Sequence, residues 1–406
     1  MATTAPWLTI IGIGENGRAG LSPAALDALD RAEFVIGGAR HLALAAPLKA
    51  ETLTWPSPFA DGYSIVLARR GRPTCVLATG DPFHYGVGAE LARLVPADEI
   101  LCHPQPSAFS LAATRMGWSL PDCDCVSLHG RALERIVPYL QPGARILTLS
   151  WDGSTPGRLA ELLSARGMGA SAITVLEAMG GPREHVRSAV ADGFDIADID
   201  ALNTVAVEVV AAHDARVVTL SPGLPDSFFE NDGQLTKAEI RALTLSALAP
   251  RAGELLWDIG LGAGSIGIEW CLRHPRNRCI GIEEREERAG RARRNAQALG
   301  ATALDIRVGQ APEALADLPA PDAVFIGGGA SEAGVFETAW AALKPGGRLV
   351  VNAVTLETET LLGSHYAQHG GTMRRLAVSR LEPVGGMQGW RAAMPVTQWV
   401  VTKPWS

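Results

Sequence analysis

Lysine is scarce in this chain of 406 residues: only Lys49, Lys237, Lys344 and Lys403 stand among 36 basic residues, and the rest are arginine. Net charge is −7, with 17 basic and 23 acidic residues before Pro225 and 19 and 20 after it. That balance, without a basic stripe, argues against nonspecific affinity for nucleic acid. Arginine is the better fork for carboxylates, so a polyacidic substrate would suit the composition, although a coding bias toward arginine gives the same pattern. No apolar run reaches the roughly 18 residues that a membrane-spanning helix needs. Met1-Ala2-Thr3-Thr4-Ala5-Pro6 has no basic region ahead of an apolar core, so no secretory leader is expected. None of the six cysteines forms a C-x-x-C pair. Free thiols in a reducing cytoplasm are the expectation, with Cys123-Asp124-Cys125 as a weaker metal or redox alternative. Neither a Ser-His-Asp arrangement nor metal-ligand spacing is present.

What the chain has is glycine in turns. A length of 406 residues suggests two or three domains. In the first half, short apolar strands alternate with helical stretches, which predicts α/β layers with mainly parallel pairing. Expected strands are 8–13, 34–37, 74–78, 100–102, 145–149, 172–176 and 204–210. Expected helices are 23–31, 64–70, 87–94, 107–116 and 156–166. A break at 118–124 divides this half into lobes at about 1–117 and 123–220. The turn formers Ser221-Pro222-Gly223-Leu224-Pro225-Asp226 open a linker at 221–232.

The second half, 233–406, starts afresh without repeating the first. Thr236 followed by Glu239 has the form of a capping box opening a helix to about Leu248. Strands 255–259, 278–283, 305–308, 322–326 and 348–352 then alternate with helices 267–273, 285–299, 312–316 and 332–342. That is a doubly wound, Rossmann-like series.

Two of the glycine turns carry chemistry. Asp258-Ile259-Gly260-Leu261-Gly262-Ala263-Gly264 follows a strand and heads a helix, so its backbone can approach a ligand closely. Glu283 comes 19 positions after Gly264, at the end of the next strand, where a carboxylate can accept ribose hydroxyls. The run is G-x-G-x-G after an acidic residue rather than G-x-G-x-x-G, which favours S-adenosylmethionine over NAD. In the first half, Gly12-Ile13-Gly14 and Thr79-Gly80-Asp81-Pro82 each follow an apolar strand. Asp81 could contact a cofactor or satisfy backbone N–H groups in its own turn.

The motifs then become specific. Gly233-Gln234-Leu235-Thr236-Lys237-Ala238-Glu239-Ile240-Arg241, Pro321-Asp322-Ala323-Val324-Phe325-Ile326-Gly327-Gly328-Gly329, the stretch from Gly346 to Glu357 and Pro395-Val396-Thr397-Gln398-Trp399 are similar to the decarboxylating precorrin methyltransferases. Thr79-Gly80-Asp81-Pro82-Phe83-His84-Tyr85-Gly86, Pro104-Gln105-Pro106-Ser107-Ala108 and Trp151-Asp152-Gly153-Ser154-Thr155-Pro156 resemble the tetrapyrrole methylase family. Together these resemblances imply an N-terminal two-lobed tetrapyrrole-methylase α/β domain followed by a Rossmann-like class I S-adenosylmethionine methyltransferase domain.

They also imply two S-adenosylmethionine sites per chain. One would use Gly12, Gly14, Thr79, Gly80, Asp81 and Ser107. The other would use Asp258, Gly260, Gly262, Gly264, Glu283 and Gln310, the last a glutamine where the family often has aspartate near the adenine. Substrate-side candidates are Thr236, Lys237, Gly328, Asn352 and Thr355, with His41 and His84 as further possibilities in the first half. The implied activity methylates two bridging carbons, C5 and C15, of a reduced tetrapyrrole and removes CO2 from the ring C acetate, in cobalamin synthesis. A cytoplasmic homo-oligomer with a small-molecule partner, and neither nucleic acid nor membrane, is expected.

Overall fold

Strand Leu8–Ile13 (β1) is apolar along almost its whole length and buried on both faces, as a central strand of a covered parallel sheet must be. The computed structural model that shows this describes residues 6–405. Met1–Ala5, on which most of the reading of the leader rested, and Ser406 lie outside the described residues. Around β1 are Phe34–Gly37 (β2), Glu51–Thr54 (β3), Thr74–Thr79 (β4) and Ile100–His103 (β5), in the order β3-β2-β4-β1-β5. All four pairings are parallel. Strand β3 and the helix Ala39–Ala45 were not legible in the pattern.

The second lobe corrects the expectation of parallel pairing. Its strands are Asp124–Ser127 (β6), Arg145–Leu149 (β7), Ala172–Glu177 (β8), His185–Val190 (β9) and Asn203–Glu208 (β10), in the order β6-β7-β10-β8-β9. Only β6 and β7 pair parallel; β10 runs antiparallel to both β7 and β8, and β9 antiparallel to β8. Helix Thr155–Ala165 is a true crossover between β7 and β8, but β10 inserts between them in the opposite direction. The connection from β8 to β9 is too short for a crossover helix, which forces a hairpin-like return.

Residues 217–406, with the segment 132–140, form a second compact unit, separate from 1–131 and 141–216. Its sheet contains Leu255–Ile259 (β11), Arg278–Glu283 (β12), Leu304–Val308 (β13), Ala323–Ile326 (β14), Arg348–Ala353 (β15) and Thr372–Leu376 (β16). The two-stranded ribbon Ser379–Val384 (β17) and Met387–Ala392 (β18) precedes the last strand, Val396–Thr402 (β19). The order is β13-β12-β11-β14-β15-β19-β16; the first five are parallel and β19 is antiparallel to both neighbours. Helices Ser265–Leu272, Glu286–Leu299 and Val335–Ala342 are the crossovers. The chain leaves β11 toward β12 on one side and returns to β14 on the other, so a crevice opens at the carboxyl ends of β11 and β14.

Three further expectations are corrected. The sheet does not end at β15 but continues through β19. The helix expected at 312–316 is a single 3₁₀ turn, Glu313–Leu315. The helix after the linker begins at Ala238, with Lys237 rather than Thr236 at the N-cap and no side-chain cap bond. Arg241, a fully buried guanidinium, takes the Thr236 carbonyl, and Glu239 is paired with Arg380 instead of closing a capping box. Among the described residues no helix is long and apolar enough to cross a membrane. All six cysteines are free thiols, and Cys75, Cys271 and Cys279 are buried.

Candidate functional site

The crevice at the carboxyl ends of β11 and β14 is a cavity of about 880 Å³. Its floor is made by two turns that only glycine permits to meet. Gly260 has φ +75°, and a Cβ there would lie 2.7 to 2.9 Å from the backbone of Gly328. Gly262 also has positive φ, but a Cβ on it would meet nothing within 4 Å, so the space beside it is open. Glu283, at the end of β12, is 6 % exposed and points its carboxylate back at this turn. The Gly262 N–H donates to Oε2 at 2.8 Å and the Arg285 N–H to Oε1 at 3.1 Å. Each oxygen retains a lone pair for a ligand hydroxyl.

Beneath the turn, Asp258 accepts from the Gly267 N–H at 2.8 Å. Burial raises its carboxyl to about 7, against the lowering effect of that bond and with a further push from the charge of Glu283.

The cavity brings together Thr236, Lys237, Asp258, Gly260, Gly262, Glu283, Gln310, Gly328 and Asn352, out of six separate stretches of sequence. Gly264 and Thr355 do not line it. Gly264 (φ +80°) caps the helix that starts at Ser265 and packs on Ala292. Thr355 is exposed and caps Leu356–His369 by accepting from the Thr358 N–H at 3.4 Å. The amide of Asn352 is already engaged: it donates to Thr244 Oγ1 at 2.9 Å and accepts from Gln398 Nε2 at 3.1 Å. Lys237 Nζ stands 3.6 Å from Asp226.

Sequence reasoning missed the cations of the rim, Arg285, Arg288 and Arg380. Arg288 donates to Asp232 at 2.8 Å and Arg380 to Glu239 at 3.2 Å. The arginine-rich run from Arg285 to Arg294 was the available signal for the first two. Nothing local marked Arg380, which lies 141 residues from its partner.

In the first unit, the turns after β1 and β4 adjoin a much smaller cavity, about 50 Å³, between the two lobes. Gly14, Thr79 and Gly80 line it; Gly12, Asp81 and Ser107 do not. A Cβ on Gly12 would lie 1.8 Å from the Gly80 carbonyl oxygen, so its role is to let the two turns pack. Asp81 accepts from the Phe83 N–H at 2.8 Å inside its own turn, and Ser107 caps helix Ala108–Met116 through the Ser110 N–H at 3.1 Å. Glu15 and Arg40 also line the cavity and form an ion pair there, and Arg183 from the second lobe reaches Glu15 at 3.5 Å. His41 stands behind Thr79, 2.8 Å from its hydroxyl. His84 lies instead in a separate open trough with Phe59, Tyr63, Tyr85 and Arg131.

Known proteins match this chain in sequence over nearly its whole length. Residues 7–194 match the family model described as tetrapyrrole (corrin/porphyrin) methylases, and residues 227–403 that described as a precorrin methyltransferase domain. A precorrin-6Y C(5,15)-methyltransferase [decarboxylating] from Sinorhizobium sp is 54% identical over 403 residues, covering 99% of this chain and 98% of that one. The chain belongs to the precorrin-6Y C(5,15)-methyltransferase (decarboxylating) family. A member from Mycobacterium tuberculosis is 40% identical over 400 residues, covering 98% of this chain and 100% of that protein. Among solved structures, the C-terminal domain of the Rhodobacter capsulatus family member is 50% identical, covers 46% of this chain and 100% of that one, and has a TM-score of 0.44.

Proposed function

We propose that this chain methylates precorrin-6Y at C5 and C15 and decarboxylates its ring C acetate to give precorrin-8, in cobalamin biosynthesis. Full-length identity of 54% to a family member of that name, spanning both domains at once, is the observation that carries the reading. Methyl transfer of this kind needs a site that holds donor and acceptor in line at about 3–3.5 Å rather than a strong base.

The residues of the C-terminal crevice fit S-adenosylmethionine. The open space at Gly262 and the buried carboxylate of Glu283 form a cradle for a ribose, with Gln310 on the adenine side. A volume of about 880 Å³ is ample for the cofactor and leaves space beside it for the reacting edge of a macrocycle. Bound there, S-adenosylmethionine supplies an electrophilic methyl to an enamine-like carbon of the substrate. The chain then has to orient that carbon. Lys237, Arg285, Arg288 and Arg380 on the rim can take the acid arms as charge-assisted pairs, and the bend at Gly327–Gly329, bare of side chains, lets the ring approach the backbone. Loss of CO2 leaves the electron pair of the broken C–C bond in the conjugated macrocycle, and a proton is taken up there.

The N-terminal site is proposed to hold a second cofactor molecule on Gly14, Thr79 and Gly80 and to serve C5. A space of about 50 Å³ is smaller than such a ligand, so the lobes part to admit it, separating Arg183 from Glu15. The same small volume favours a second reading, in which the N-terminal domain binds no cofactor and the chain has one site. Calorimetry with S-adenosylhomocysteine decides between them by counting sites per chain. The deciding assay for function is product mass after incubation with precorrin-6Y and S-adenosylmethionine. Two added methyl groups and one lost CO2 are expected; one methyl group without loss of CO2 removes half of the assignment.

A further inference from the structure

The hydroxyl of Thr79 is held by two donors at once, which fixes where its own hydrogen can go. We infer that Arg40 and His41 are positioning residues that turn the Thr79 hydroxyl hydrogen into the N-terminal cavity, as a donor for a ligand carboxylate. The inference rests on the reading of this cavity as the C5 site.

The tautomer of His41 follows from its neighbours. The Gly38 N–H donates to Nδ1 at 3.3 Å, and a ring nitrogen that accepts carries no proton. Burial, and then the charge of Arg40, draw the imidazole down to about 4, so the ring is neutral near neutral pH. Its single proton therefore sits on Nε2, 2.8 Å from Thr79 Oγ1, and is donated to it. Arg40 Nη2 donates to the same oxygen at 2.9 Å. The 3.4 Å approach of Arg40 Nη2 to His41 Nε2 sets two donors side by side and is not a bond.

A hydroxyl has two lone pairs and one hydrogen. Both lone pairs of Thr79 are taken. Its hydrogen has no acceptor among the described residues, and Thr79 lines the cavity. A hydroxyl that accepts from a guanidinium is polarised toward donation, which favours an ionised acceptor. Two ligands of the proposed reaction carry one: the cofactor in its amino-acid carboxylate, and the tetrapyrrole in its acid arms.

The test uses the full chain and follows C5 methylation by mass, with C15 methylation and decarboxylation read in the same sample. Thr79→Val, which keeps shape and removes the donor, is expected to raise one apparent KM about tenfold with a smaller change in kcat. Thr79→Ser is expected to restore it. His41→Phe should raise the same KM by about threefold, and adding it to Thr79→Val should cost nothing more, because the two act through one hydroxyl. A rise in KM for S-adenosylmethionine places the carboxylate on the cofactor; a rise in KM for the tetrapyrrole places it on the substrate. The inference is overturned if neither KM moves, if Thr79→Ser is as impaired as Thr79→Val, or if the double variant loses additively. A wild-type chain that methylates only C15 overturns the reading of the cavity, and this inference with it.

Discussion

Arg241 and Glu269 are both fully buried and meet at 2.6 Å between Nε and Oε1. The pair also holds the segment that leads into the second unit. Glu269 accepts from the Gly223 N–H at 2.7 Å and the Leu224 N–H at 2.9 Å, and Arg241 donates to the carbonyls of Leu224 and Thr236. The stretch read from its turn formers as a linker is thus fastened to a buried charge pair. Without Glu269, Arg241 keeps only the part-exposed Asp226, at 3.2 Å, against its buried charge, and the Gly223 and Leu224 N–H groups lose a charged acceptor, at a cost of up to about 3–5 kcal/mol. Glu269→Gln is expected to lower unfolding stability by that order in urea titrations of the full chain. The double replacement Arg241→Met with Glu269→Leu removes both charges but also orphans the Gly223 and Leu224 N–H groups, so it is expected to lose at least as much; a much smaller loss would show that these backbone bonds contribute little.

The two sites can be disabled separately through glycines that no other residue can replace. A Cβ on Gly12 would overlap the Gly80 carbonyl at 1.8 Å and approach the Gln105 N–H nitrogen at 2.8 Å. Gly12→Ala therefore forces apart the turns that carry Thr79 and Gly80. Displacing a reacting group by an ångström costs about a hundredfold in rate. C5 methylation is expected to fall by that order while C15 methylation and decarboxylation persist. Gly260→Ala, strained at φ +75° and pressed against Gly328, is expected to give the converse product. Mass analysis of the tetrapyrrole distinguishes the two, and loss of both reactions in either variant would contradict separate sites.

The parts of the fold that the sequence announced are those built from unbroken apolar strands and glycine turns. β1, β11 and β12 have the expected bounds because strands buried on both faces leave no polar alternation to blur their ends. Pairing direction is different in kind. Nothing in Asn203–Glu208 says that it will enter between β7 and β8 in reverse, since the local pattern of a buried strand is the same either way. The glycines of the sites were legible as a class but not by role: Gly12 serves packing, whereas Gly14 faces the cavity. Asp81, equally open between two roles, satisfies its own turn. Arg40, Glu15 and Arg380 escaped because charged residues acquire a site only through partners distant in the chain.

Asp258 gives the C-terminal unit a pH dependence of definite sign. Its carboxyl is raised from the ordinary 3.8 to about 7, first by complete burial. A raised acid favours the protonated form in the fold, so its contribution is present in full below about pH 4 and lost as pH climbs through 7. Asp258→Asn cannot ionise and can still accept from the Gly267 N–H. The stability of the wild type relative to this variant is expected to fall between pH 4 and 7 by at most roughly 4 kcal/mol, then level off. Scanning calorimetry without cofactor at several pH values reads the difference, and a flat difference would place the ionisation of Asp258 outside this range.

Glu283 offers the most direct count of cofactor sites. Its carboxylate accepts the N–H of Gly262 on one oxygen and that of Arg285 on the other, which leaves lone pairs on both for ribose hydroxyls. Glu283→Gln preserves size but puts an NH2 where one oxygen accepted, so a donor then faces either the Gly262 or the Arg285 N–H. The turn loosens and one acceptor for the ribose is lost, an effect of about 1.5–3 kcal/mol for hydrogen bonds to a charged group. S-adenosylhomocysteine is expected to bind the C-terminal site about ten- to a hundredfold more weakly, while the N-terminal site is untouched. Titration calorimetry of the variant should then resolve one tight site per chain where the wild type is expected to show two. If both remain tight, the carboxylate only braces the turn; if none remains, the chain had a single site from the start.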